Sequence, residues 1–74
     1  MPDSIPLSEV PCGKKVHVYN VTGREELHHR LEALGFVAGE TIEIVSKAAK
    51  TLIVSVKGAR FGLADQVADN IHVV

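Results

Sequence analysis

The chain has 74 residues, of which 46% are hydrophobic and 23% charged, with a formal net charge of −1. That length makes one small domain, residues 1–74, burying about 60% of the surface its unfolded form exposes. The near-balanced charge excludes the basic surplus of a nucleic-acid or anionic-lipid binder, one cysteine excludes an internal disulfide, and no apolar run approaches the ~20 residues of a membrane-spanning helix.

The amino terminus lacks the basic region and apolar run of a secretory signal, so the protein is expected in the cytoplasm, with no insertion into a membrane. With one tyrosine, two phenylalanines and no tryptophan, the core is built from aliphatic side chains.

In chain order, residues 1–6 are read as a loose arm, because Pro2 and Pro6 disfavour helix before them. Pro6 to Val10 predicts a single helical turn with Leu7 and Val10 on one side, and Pro11-Cys12-Gly13 a turn. Lys14 to Val21 alternates Val16, Val18 and Val21 with polar neighbours, the signature of a half-buried strand. A helix over about 23–34 follows. Thr22 and Glu25 form a capping-box pattern at its start. Leu27, Leu31 and Leu34 recur at i, i+4 and i+7, and Gly35 stands where a left-handed residue ends a helix.

Gly39-Glu40 marks the next turn, and Thr41 to Val45 alternates again with Ile42 and Ile44 inward. Ser46 to Lys50 predicts a short hairpin connection to an antiparallel strand, Thr51 to Lys57, with Leu52, Val54 and Val56 on its inner face. Gly58 breaks that strand. Ala59 to Phe61 predicts a short further strand, and Leu63 to Asp69 two turns of helix with Leu63, Val67 and Ala68 inward. Ile71 to Val74 is the last strand, with His72 outward. Four or five short strands in so small a domain curl into a barrel whose edges are paired or covered.

Chemistry is sparse. Ser4, Ser8, Ser46 and Ser55 have no nucleophile motif around them, and the glycines form neither a phosphate loop nor a dinucleotide fingerprint, so no enzyme is expected. Glu25, His28, His29 and Glu32 share the helix face opposite the leucines. Glu25/His29 and His28/Glu32 are neighbours one turn apart that could hold a divalent ion such as Fe²⁺ or Zn²⁺, alone or with a second molecule. Without a recognised three- or four-ligand spacing, an exposed polar face is the plainer reading, and no cofactor is expected. Cys12 and His17 would need a third ligand from elsewhere, so Cys12 is read as a half-buried thiol.

The stretch Gly35-Phe36-Val37-Ala38-Gly39 is apolar where connections are normally polar. Phe36 is expected to insert beneath the helix and Val37 to point the other way. Arg30 lies at the margin of the leucine stripe, its head free for a carboxylate or phosphate.

Read together, Leu7-Ser8-Glu9 with Gly13, Arg30-Leu31, Leu34-Gly35-Phe36, Gly39, Ile42-x-Ile44, Gly58 with Phe61 and Leu63, and Ala68-x-x-Ile71-x-Val73 span almost the whole chain. In that order and spacing they resemble the FeoA family of small cytosolic proteins associated with bacterial ferrous iron transport. The resemblance implies a mainly-β fold: a small SH3-like β-barrel with one clear inserted α-helix and a second short helix. It also implies a non-enzymatic accessory module that works with a membrane ferrous iron transporter carrying a cytosolic GTPase domain. A partner surface would then centre on Arg30, Phe36 and Val37. The alternative is a stand-alone metal-binding or metal-sensing domain using His28 and His29. A similar domain occurs in iron-dependent repressors related to the diphtheria toxin repressor, but no helix-turn-helix or basic patch accompanies it here. Two positions depart from the family pattern. Ala38 replaces a frequent proline, and Ala64-Asp65 stand where relatives often carry a basic residue.

Overall fold

The computed structural model describes residues 3–74. Its elements are β1 (Ile5–Pro6), a 3-10 turn (Leu7–Glu9), β2 (Lys15–Val21), α1 (Glu25–Leu34), β3 (Thr41–Ala48), β4 (Thr51–Val56), β5 (Ala59–Ala64), α2 (Asp65–Ala68) and β6 (Ile71–Val73). The strands form one antiparallel sheet in the order β1-β6-β2-β3-β4-β5. The sheet bends around a single core in which Leu7, Val18, Leu31, Phe36, Ile42, Ile44, Val54, Ile71 and Val73 are all buried. This is the expected barrel-like, mainly-β architecture, although among the described residues β1 and β5 remain edge strands and no ladder joins them.

Alternation and turn chemistry explain the register. Ile42 lies opposite Val16 and Val56, and Ile44 opposite Val54, so inward side chains of β2, β3 and β4 meet as cross-strand pairs. One extra residue, Val45, interrupts the β3–β4 ladder, and another, Tyr19, interrupts β2–β6. Such bulges sharpen the local twist and let a small sheet curl.

Several boundaries differ from those read in the sequence. Of the loose arm, Met1 and Pro2 lie outside the described residues, whereas Ile5 and Pro6 pair with Val73 and His72. Burial of Leu7 and Val10 holds the following turn against the core, which brings this segment alongside β6. Proline is tolerated there because β1 is an edge. Ser46, Lys47 and Ala48 belong to β3 rather than to a connection, leaving only Ala49-Lys50 as the hairpin loop. The stretch from Leu63 is strand through Ala64, and α2 is one turn, Asp65–Ala68. Strand and helix nevertheless turn the same side chains inward: Leu63 and Ala68 are buried and Val67 packs against them.

The helix begins differently from the capping-box reading. Arg24 occupies the N-cap and no side chain caps the first turn. Thr22 is still tied to β6. Its amide donates to the Asn70 carbonyl at 2.8 Å, and its hydroxyl lies 3.3 Å from Asn70 Oδ1. A hydroxyl engaged across the sheet is not free to cap.

The helix end follows expectation. Gly35 has φ +108, and its amide donates to the Glu32 carbonyl while the Phe36 amide donates to that of Leu31, both at 3.0 Å. These two bonds define a Schellman ending, which turns Phe36 back over Leu31. Leu31 is 2% exposed and Leu27 packs at the margin, but Leu34 is 36% exposed. The buried part of the leucine stripe therefore ends at Leu31, and Phe36, just past the helix end, is the next fully buried side chain.

Candidate functional site

The metal reading rests on Glu25, His28, His29 and Glu32 on one exposed side of α1. His28 Nε2 lies 3.6 Å from Glu32 Oε1, and His29 Nε2 lies 3.8 Å from Glu25 Oε1. These are two separate acid–imidazole pairs along one exposed helix side, with the two imidazole rings 6.4 Å apart. Among the described residues, no three His, Cys, Asp or Glu side chains converge as a metal site. Cys12 is exposed, not half-buried, in the turn that precedes β2. His17 is paired through Nδ1 with Thr41 Oγ1 at 3.1 Å. His72 is half-buried, with Nε2 3.3 Å from the Thr22 hydroxyl, so it is not a plain surface histidine.

The three residues considered for partner contact fall in three different places. Phe36 is 0% exposed, its ring tilted against Phe61 at 6.3 Å, so it is an anchor of the turn and not a contact residue. The Schellman ending drives it inward, as the apolar loop composition implied. Val37, the next residue, is 36% exposed. Arg30 is exposed but flanks a separate shallow depression with Arg24, Glu26 and Leu27. At 100° per residue, Arg30 and the His28–Glu32 pair lie on opposite flanks of the buried leucines, so Arg30 does not stand beside Val37.

Val37 instead borders a groove of about 200 Å³ between α1 and the end of β2. Tyr19 and Val21 line it from the strand, His28 and Glu32 from the helix, and Val37 and Ala38 from the turn, with Phe36 contributing below. Backbone bonds fix these walls. Gly39 N–H donates to the Val18 carbonyl at 2.7 Å, and Val18 N–H to that of Glu40 at 2.9 Å, so the turn is laced onto β2. Within it, Glu40 N–H donates to the Val37 carbonyl at 3.0 Å, and Gly39 has φ +89. That is a turn whose third residue must be left-handed, the position glycine takes without strain.

Tyr19 is the residue the sequence reading passed over. It stands at an outward position of β2 and is 43% exposed, and it is the extra residue of the β2–β6 bulge. Bulges re-aim side chains. The available signal was a large aromatic on the polar side of an alternating strand.

The FeoA domain family matches the chain over residues 5–74. No curated protein sequence matches it significantly. Among solved structures, an iron uptake regulatory protein (FeoA) is 30% identical, with a TM-score of 0.87 over 99% of this chain and 97% of its own. The FeoA of Stenotrophomonas maltophilia in complex with zinc, described as a prokaryotic SH3 domain protein, is also 30% identical, with a TM-score of 0.83 over 99% of this chain and 91% of its own. A manganese-dependent transcriptional repressor reaches a TM-score of 0.91 at 17% identity over all of this chain but only 42% of its own, a likeness of fold alone. With the family pattern running through nearly every described element, and the SH3-like barrel shared end to end, the chain belongs to the FeoA family.

Proposed function

We propose that this protein is a non-enzymatic accessory factor of bacterial ferrous iron transport, acting in the cytoplasm by binding the GTPase region of a membrane iron transporter. The observation that carries the proposal is the FeoA domain match over residues 5–74. An iron uptake regulatory protein of nearly the same length and fold supports it. A domain that works without catalysis acts by binding one state of a partner better than another. Contact is assigned to two separate faces, one at Val37 and one at Arg30, with Phe36 as the buried support of the first.

Co-purification with a membrane ferrous iron transporter that carries a cytosolic GTPase domain tests this. Val37→Asp weakens the complex while the melting temperature holds, and Arg30→Glu reports on the other face. Full retention of the complex by a folded double variant rejects both surfaces.

A second reading has its own observation. Two acid–imidazole pairs lie within 4 Å along one face of α1, and the Stenotrophomonas maltophilia FeoA was solved with zinc. In this reading the helix face takes up Zn²⁺ or Fe²⁺. Calorimetric titration with each ion decides it: tight binding abolished by His28→Ala with His29→Ala supports it, and millimolar binding or none rejects it.

A further inference from the structure

We infer that the groove between α1 and β2 receives a lysine or arginine, together with an adjacent apolar side chain, from a segment of a protein partner. The inference rests on the accessory-factor reading above and specifies what the partner must present.

Three features of the groove favour a cation. Glu32 stands on the helix wall with its side chain 47% exposed, paired only with His28 at 3.6 Å. The carboxyl end of α1 next to Glu32 carries no basic residue of its own in its last turn, and Lys57, which approaches that end beside Gly35, is shared with Glu40. Across the groove Tyr19 offers an exposed aromatic ring to a cation. Of the nearby lysines, Lys57 is held 4.0 Å from Glu40, outside the groove lining. Among the described residues, no Lys or Arg lines the groove itself.

The turn side favours an apolar group, because Val37 and Ala38 stand over the buried Phe36. The dimensions limit the occupant. A helical turn about 10 Å across and 5.4 Å high fills roughly 420 Å³, about twice the groove's 200 Å³. A segment therefore enters by one or two side chains, and an aliphatic residue beside a lysine matches the two halves.

The test uses the full ¹⁵N-labelled chain and two capped hexapeptides. One is Ala-Ala-Leu-Lys-Ala-Ala, and its twin has glutamate in place of lysine. Tyr19 is the only tyrosine and there is no tryptophan, so fluorescence reports on the groove directly. The lysine peptide is expected to shift the Tyr19, Glu32 and Val37 amide signals, to change the tyrosine emission, and to weaken as salt rises from about 0.05 to about 0.5 M. The glutamate twin should bind about tenfold more weakly, and Glu32→Lys should reverse that preference. Equal binding of both peptides, shifts elsewhere on the protein, or no shift at millimolar peptide overturns the inference. So does peptide-free, concentration-dependent broadening at these residues, which would put a second copy of the chain in the groove.

Co-purification of the transporter with a Tyr19→Thr, Glu32→Lys double variant separates the two proposals. Lysine-selective peptide binding with an undisturbed transporter complex keeps the ligand class and removes the transporter from this surface. A lost complex with no peptide selectivity keeps the accessory role and removes the ligand class.

Discussion

Leu31 and Leu34 look equivalent in the sequence, and the structure separates them sharply. Leu31 is 2% exposed in the common core, whereas Leu34 is 36% exposed beyond the point where Phe36 takes over. Replacing Leu31 by alanine removes three buried carbons, about 2.4 kcal/mol at ~0.8 kcal/mol per carbon. The cavity left behind brings the cost to about 2–5 kcal/mol. A domain of this length holds only ~4–11 kcal/mol in total, so the variant loses a large share of its stability. The same change at Leu34, where the side chain is only about two-thirds buried, should cost about 1.5 kcal/mol or less. Alanine is at least as good a helix former as leucine, so propensity does not blur the comparison. Equilibrium urea unfolding followed by far-UV circular dichroism measures both. With a slope of ~1 kcal/mol/M, Leu31→Ala should lower the midpoint by about 2 M or more, and Leu34→Ala by about 1.5 M or less. Equal shifts, or a larger one for Leu34→Ala, would refute the placement of the helix on the barrel.

Gly35→Ala should cost at least about 1 kcal/mol in the same assay, because φ is +108 there and a side chain is strained even though its nearest neighbour, Val56, lies at ordinary contact distance. Thr22→Ala should cost about 1 kcal/mol through the hydroxyl's contact with Asn70, and a double-mutant cycle with Asn70→Ala should show coupling that a helix-capping role would not produce. Ala38→Pro should raise the melting temperature by a few degrees, since Ala38 precedes the left-handed Gly39 in its turn and proline favours that position.

The parts of the fold legible in the sequence were those set by local periodicity. The alternation in β2, β3 and β4, the Leu27–Leu31 stripe, and the glycine at the helix end each follow from spacing alone. What was not legible depended on partners distant in the chain. Thr22 and Glu25 have the spacing of a capping box, but Asn70, 48 residues away, engages the hydroxyl first. The Leu63 segment carries apolar residues that satisfy a strand or a helix equally. Its pairing with Leu52 decides for strand, and no local property of the sequence encodes that choice. At the candidate site, the composition of Gly35 to Gly39 announced a partly buried turn and correctly divided Phe36 from Val37. Alternation already turns Tyr19 outward, but the groove it borders depends on the turn of Val37 and Ala38, which is laced onto β2 through contacts distant in the chain. Arg30 and Val37 are close in the chain, but proximity in sequence does not carry across the flanks of a helix, and Arg30 lines a separate depression.

A groove this small is adequate for an accessory role. An accessory protein changes its partner only through the difference between its affinities for two partner states. A tenfold bias needs about 1.4 kcal/mol of such difference. An ion pair with the half-exposed Glu32 contributes about 0.2–1 kcal/mol, and burying one aliphatic side chain contributes about 1.5–3 kcal/mol. The apolar contact, alone or together with the ion pair, made in one state and absent in the other, supplies the bias from a groove of about 200 Å³. The walls are set by backbone bonds from the turn to β2 and by the buried Phe36, so the groove is preorganised and little is lost in ordering it on binding. Regulation on this scale does not require the barrel to change shape. It requires only that the partner expose its basic segment in one state and withdraw it in the other.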